Sequence, residues 1–315
     1  MRSRARVLTL LAGLLALGLV PLVAALTQQP FYLDLFRRIM IFAIAAVSLD
    51  LILGFGGMVS FGHAAYLGIG AYAVAIPAFY GIHSGLVQWP LAMVLSGLAA
   101  LAIGAVSLRT SGVSFIMITL AFAQMLYYLG ISINAWGADD GMRLARRSQF
   151  GGVLDLTNGY VFYYVVFGLL LTLLWLGNRL VHARFGVVIR AARSNEPRMR
   201  AIGFSTFRYK LAAFGIAGAI GGLAGALLTN QTEYLTPSYM HWTRSGEIMV
   251  MVILGGIGTL YGPVLGAVAF LLLEDVLSAW TVHWQVVLGP LLVLVVLYAR
   301  RGLWGLLPEA RRADG

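Results

Sequence analysis

Side chains able to do chemistry are scarce inside the apolar stretches of this chain. Asp50, His63, Gln124 and Asn230 fall within such stretches or at their edges, and Ser245, Glu247 and the pair Glu274-Asp275 border later ones. A carboxylate at membrane depth could serve a proton relay or a cation site. It costs about 2.5–3.5 kcal/mol at a helix centre on insertion scales, so it must face protein or water. A relay needs a succession of such groups, and none is visible. Asp50 lies near one end of its run, where the simplest reading is that it reaches the interface. His63 reads as a hydrogen-bonded packing residue rather than a ligand. Gln124 and Asn230 suit either a polar path or a link between helices. Ser245 and Glu247 read as the start of a short helix, where capping and the helix dipole account for both. Glu274-Asp275 reads as a membrane boundary. The sequence holds no phosphate-binding loop, no HExxH and no nucleophile–base pair, and it has no cysteine. Neither catalysis nor a cofactor or metal is expected of it, so energy for uphill movement must come from elsewhere.

The richest polar segment is 179–210, RLVHARFGVVIRAARSNEPRMRAIGFSTFRYK, with eight Lys/Arg and one carboxylate, Glu196. Short loops dense in Lys/Arg stay on the cytoplasmic side of a membrane. Phe185 to Ala192 can form a short amphipathic piece. Ser194-Asn195-Glu196-Pro197 then offers N-caps, a first-turn carboxylate and a first-turn proline. Gly203 is placed to stop the helix, since glycine accepts the left-handed backbone of a C-cap. The pattern predicts a two-turn helix over Glu196 to Ile202, carrying Arg198 and Arg200, that presents a docking surface to a cytoplasmic partner. A solvated loop that only sets orientation is the alternative, and it leaves the capped helix unexplained.

The elements that must position this segment are membrane helices. Hydrophobic residues make up 60% of the chain and charged residues 11%, against about 25% charged in a soluble domain. Mean hydropathy is +0.86. The net charge of +10 does not indicate nucleic acid, because the arginines lie between apolar runs and form no stripe. The expected fold is an all-α polytopic membrane protein in one domain over 1–315, a bundle of about 8–10 transmembrane segments with two Gly-rich broken helices. Residues 1–30 would form an N-terminal membrane helix that begins inside, with cleavage near Ala24-Ala25 as the alternative. Six crossings (Val7–Leu26, Ile39–Leu53, Ala64–Tyr80, 90–108, Gly112–Ile133 and Tyr160–Leu176) bring the chain to the basic segment on the inside. Arg37-Arg38 fall outside, where they could snorkel. Leu211–Leu228 follows, then Glu247–Leu254, Val264–Leu273 and Val286–Tyr298. The arginines at 300, 301, 311 and 312 belong inside only if the interruption at 255–263 reverses the chain. This places both termini in the cytoplasm and sixteen of the 22 Lys/Arg inside.

The first break, Gly54-Phe-Gly-Gly-Met-Val-Ser-Phe-Gly-His63, includes Gly56, Gly57 and Ser60. The second, Gly255-Gly-Ile-Gly-Thr-Leu-Tyr-Gly-Pro263, includes Gly256 and Gly258. Both contain Ile-Leu-Gly and a later aromatic-Gly, a short similarity that leaves internal duplication and chance both open. Irregular backbone at membrane depth is tolerated only where protein or a water-filled cavity covers it, so the breaks must be buried or line a path. Glycines at 218, 221, 222 and 225 are spaced for close helix packing, within the chain or with another subunit.

The first break through Tyr72, Ile118-Thr-Leu-Ala-Phe122, Asp139-Asp140-Gly141, Arg190 to Ala213 and Val252 to Ala267, all in the same order, resemble the permeases of branched-chain amino-acid ABC importers of the LivM type. The resemblance covers about 35 to 300. It implies a non-enzymatic subunit of a prokaryotic plasma-membrane importer that moves branched-chain amino acids or related small amino acids and amides; sister branches carry urea, other amides and acids. It implies a LivH-type permease partner, two cytoplasmic ATPases that use the ATP, and an extracytoplasmic binding protein. Glu196–Gly203 matches the family's coupling loop, departing at Pro197-Arg198-Met199 where Ala-rich helix formers are usual. From the residues alone, a self-sufficient channel or secondary carrier of a small neutral solute remains the competing reading.

Overall fold

The computed structural model describes residues 2–152, 154–281, 283, 285–290, 293 and 302–306, with the side chains of those from 12 to 305. The side chains of Arg2, Arg4 and Arg6, most of the run Val286–Tyr298, and the arginines at 300, 301, 311 and 312 lie outside the described residues. The chain is an all-α bundle: α1 Arg2–Thr27, α2 Pro30–Asp50, α3 His63–Phe79, α4 Gly85–Ser107, α5 Val113–Ser132, α6 Gly159–His182, α7 Arg184–Ser194, α8 Glu196–Ala201, α9 Thr206–Thr232, α10 Trp242–Gly255 and α11 Gly262–Trp280. A short helix, Gly302–Leu306, follows further on. Six described helices are long and apolar enough to span a bilayer, and Ala12–Thr27 and His63–Phe79 are shorter apolar helices. These eight agree with the lower end of the expected range.

Helix α2 is the axis. Every residue from Ile39 to Asp50 is buried, as expected of a helix that is apolar all round. It packs against α1, α6, α9, α10 and α11. The glycine stripe of α9 meets partners within the chain. A methyl group on Gly218 would overlap Ala100 of α4. One on Gly222 would overlap Ser96, also of α4, and one on Gly225 the backbone of α3 at Leu67. Close backbone approach is how small residues hold helices together in lipid.

The second break does reverse the chain. Gly255 abuts Gly262, and Met251 abuts Gly266, so α10 and α11 form an antiparallel hairpin. The 14 residues of α10 span only about 21 Å at 1.5 Å per residue. The first break has another geometry. A π-turn at Leu51–Phe55 ends α2, and α3 leaves to pack on α4 and α9. The two glycine motifs share residues but not a backbone shape.

Loops fall into two sets at opposite ends of the bundle. One set gathers 80–85, 133–158 and 232–241. Met142–Arg143 pairs antiparallel with Tyr234–Leu235, and the Ser148 N–H donates to Asn230 Oδ1 at 2.7 Å. Asn230 thus links helix to loop. Arg37 does not snorkel. It is 2% exposed and bonds Gln231 Oε1 at 2.5 Å, Asp34 and the Gly159 carbonyl, with its guanidinium over Phe162. A buried guanidinium needs acceptors on several sides, and residues from α2, α6 and α9 supply them. Arg38 pairs with Glu274 at 3.1 Å. The other set contains both breaks and the basic segment.

Candidate functional site

The basic segment folds as two helices. In α7, Val188, Ile189 and Ala192 are buried on one face. In α8, Asn195 is the N-cap, its Oδ1 accepting the Arg198 N–H at 3.0 Å, with Pro197 in the first turn. Gly203, at φ +91°, lies just beyond the C-cap residue Ile202, where a side chain would strain the backbone.

Glu196 ties α8 to α9. Its carboxylate accepts from Arg200 at 2.6 Å, Thr206 at 2.9 Å and Lys210 at 2.5 Å. Burial alone would raise its pKa, but the hydrogen bonds from Lys210, Thr206 and Arg200 outweigh that and hold it at about 2. Arg198 is left pointing to solvent, and Val187, Ile202 and Phe204 are exposed. Exposed apolar groups among cations make a surface suited to a protein partner.

Between α8 and the first break lies a cavity of about 800 Å³, bordered by Gly57, Met58, Val59, Arg109, Glu196 and Lys210. Of the break residues singled out from sequence, Gly57 borders this open space. Gly54 and Gly258 press against each other, and Gly255 against Gly262. Gly56 is closed in by Met58 and the Ile52 carbonyl, and Gly256 by Gly302. Ser60 is buried, its hydroxyl accepting the Gly62 N–H at 3.2 Å. His63 is buried, bonded through Nε2 to Ser48 Oγ at 2.6 Å and edge-on to Tyr66; this is a packing role.

Two expectations need correction. Asp50 does not reach the interface: it is 1% exposed, and its Oδ1 accepts the Gly258 N–H of the second break at 2.8 Å. Ser245 is not a cap, since α10 begins three residues earlier with His241 as its N-cap. Ser245 Oγ instead accepts the Ala64 N–H at 2.9 Å, satisfying an orphan donor in the first turn of α3. Its pairing across 181 residues leaves no local trace in sequence. In sequence Arg193 is one of seven arginines in the basic segment, yet it donates to the Gly54 carbonyl.

A polytopic bundle with two covered helix breaks at one end, beside a structured polar segment, defines the class as a membrane transport protein. Residues 31–297 match the family described as branched-chain amino acid transport system / permease component. The chain belongs to that family. It is 27% identical over 318 residues to the high-affinity branched-chain amino acid transport system permease protein LivM of Escherichia coli, covering 91% of this chain and 74% of the relative. The LivM protein of Salmonella typhimurium is 28% identical over 296 residues, 86% of this chain and 69% of the relative. The Escherichia coli LivH permease protein is 27% identical over 292 residues, 84% of this chain and 91% of the relative. No solved structure matches the chain.

Proposed function

We propose that this chain is the LivM-type permease subunit of an ABC importer in a prokaryotic plasma membrane. It carries branched-chain amino acids or related small amino acids and amides. A LivH-type permease completes the path, two cytoplasmic ATPases dock on Glu196–Gly203, and an extracytoplasmic binding protein delivers substrate. The supporting observation is α8: capped at Asn195, stopped at Gly203 and fastened to α9 through Glu196 and Lys210. It lies at the same end as both breaks, with Arg198 and Ile202 facing out. A segment that only set orientation would need charge, not a fixed shape. On this reading that end is cytoplasmic.

The test combines Arg198→Glu and Arg200→Glu in the assembled importer. Uptake of radiolabelled leucine is lost and the ATPases no longer co-purify, while insertion in the membrane is unchanged. Normal uptake in this variant removes the docking role. Leucine flux from the chain reconstituted alone supports a self-sufficient carrier instead.

A further inference from the structure

The two breaks and the basic segment meet at one point, held by long-range bonds. Asp50, the last residue of α2, accepts the N–H of Gly258. Arg193, near the end of α7, donates to the carbonyl of Gly54. The stem of Arg193 crosses Gly57, where an added Cβ would lie 2.8 Å from its Cγ, and its Nη1 would lie 3.5 Å from a Cβ on Gly258. Gly57 and Gly258 have φ of +69° and +74°, a backbone that side chains strain. Asp50 Oδ2 is buried and has no partner among the described residues; Oδ1 is the oxygen that holds the second break.

A helix break frees backbone groups that must find partners at membrane depth. Here a carbonyl of the first break is matched by a side chain of the basic segment, and an N–H of the second by a side chain beside the first. If α7 moves away alone, the first break loses its bond at the Gly54 carbonyl; if the end of α2 moves with it and the second break does not, the second break loses its bond at the Gly258 N–H. Coupling between distant sites needs packed contacts or hydrogen bonds that hold one arrangement and are lost in another.

We propose that Arg193 and Asp50 are positioning residues for transport: Arg193 joins the basic segment to the first break, Asp50 joins the first break to the second, and the three move as one unit. This rests on the reading of α7 and α8 as the ATPase-docked segment. Removing the link leaves docking and ATP hydrolysis in place but disconnects them from the movement of solute.

The experiment uses the assembled importer in proteoliposomes with radiolabelled leucine, comparing wild type, Arg193→Gln, Arg193→Lys, Asp50→Leu and the Arg193→Gln/Asp50→Leu double variant. Leucine imported per ATP hydrolysed falls at least tenfold in Arg193→Gln and in Asp50→Leu, which keeps the size but removes the acceptor, while ATP hydrolysis stays within twofold of wild type. The double variant loses no more than the worse single one, because both act in one chain of contacts. Arg193→Lys, which keeps a donor and the charge, recovers part of the ratio. The native chain has no cysteine, so Val59→Cys reports on the break directly. Its maleimide labelling rate changes on ATP binding in the parent and not with Arg193→Gln, a readout that stands even where import is too weak to measure. An unchanged ratio in both single variants overturns the proposal, as does a fall in import and hydrolysis in equal proportion, which marks a role in folding alone. A wild-type chain that retains no ATPase overturns the underlying reading, and the proposal with it.

Discussion

The sharpest test of the α8 geometry is Glu196→Gln. The Glu196 carboxyl lies at about 2 instead of its ordinary 4.5: burial would raise it, but the bonds from Lys210, Thr206 and Arg200 pull it down. Taken at face value the difference is about 3 kcal/mol at 1.36 per pKa unit. Arg200 is 66% exposed and Glu196 27%, so solvent screens part of this, and we expect about 1–2 kcal/mol. The folded-state pKa is depressed, so this stabilisation is present above 4.5 and is lost as pH falls toward 2. At pH 7 the substitution removes it, and local opening of α8 becomes about 5–30 times more frequent. Hydrogen exchange of a peptide covering 195–203 measures that opening. The difference from wild type shrinks at high salt and disappears as pH approaches 2. Equal exchange in wild type and variant at pH 7 and low salt would refute the account of Glu196 as the fastening of the helix.

Four further outcomes are expected from thermal unfolding in detergent. Gly225→Val forces a side chain into the Leu67 backbone and costs at least about 1–3 kcal/mol as overpacking. Gly168→Ala, where nothing lies within 4 Å of the new methyl, leaves the transition within about 1 kcal/mol of wild type. Arg37→Ala strips Gln231, Asp34 and the Gly159 carbonyl of their shared donor and lowers stability by roughly 3 kcal/mol; a change below 1 would mean the cluster contributes little. Ser245→Ala leaves the Ala64 N–H buried without its acceptor and costs about 1–3 kcal/mol, whereas a residue serving as an exposed cap would cost less.

Much of this protein is legible from residue order. Apolar run lengths, set against bilayer thickness, define the spans, and arginine density marks the basic segment. Asn195, Pro197 and Gly203 predict a capped helix, and it is there, because capping is decided within a few residues. The reversal at 255–263 follows from charge parity, and the Gly255–Gly262 contact realises it. The glycine stripe declares close packing, but which helices it meets is a tertiary fact: α3 and α4 of the same chain. Asp50, Arg37, Ser245 and Arg193 each read locally as boundary, snorkelling, capping or topogenic residues. Their partners lie 208, 194, 181 and 139 residues away. A buried polar group, as at Asp50, Arg37 and Ser245, takes whatever partner the fold brings within about 3 Å, because no water competes for it. Composition can therefore say that such groups must be satisfied, and only the packed bundle decides by whom.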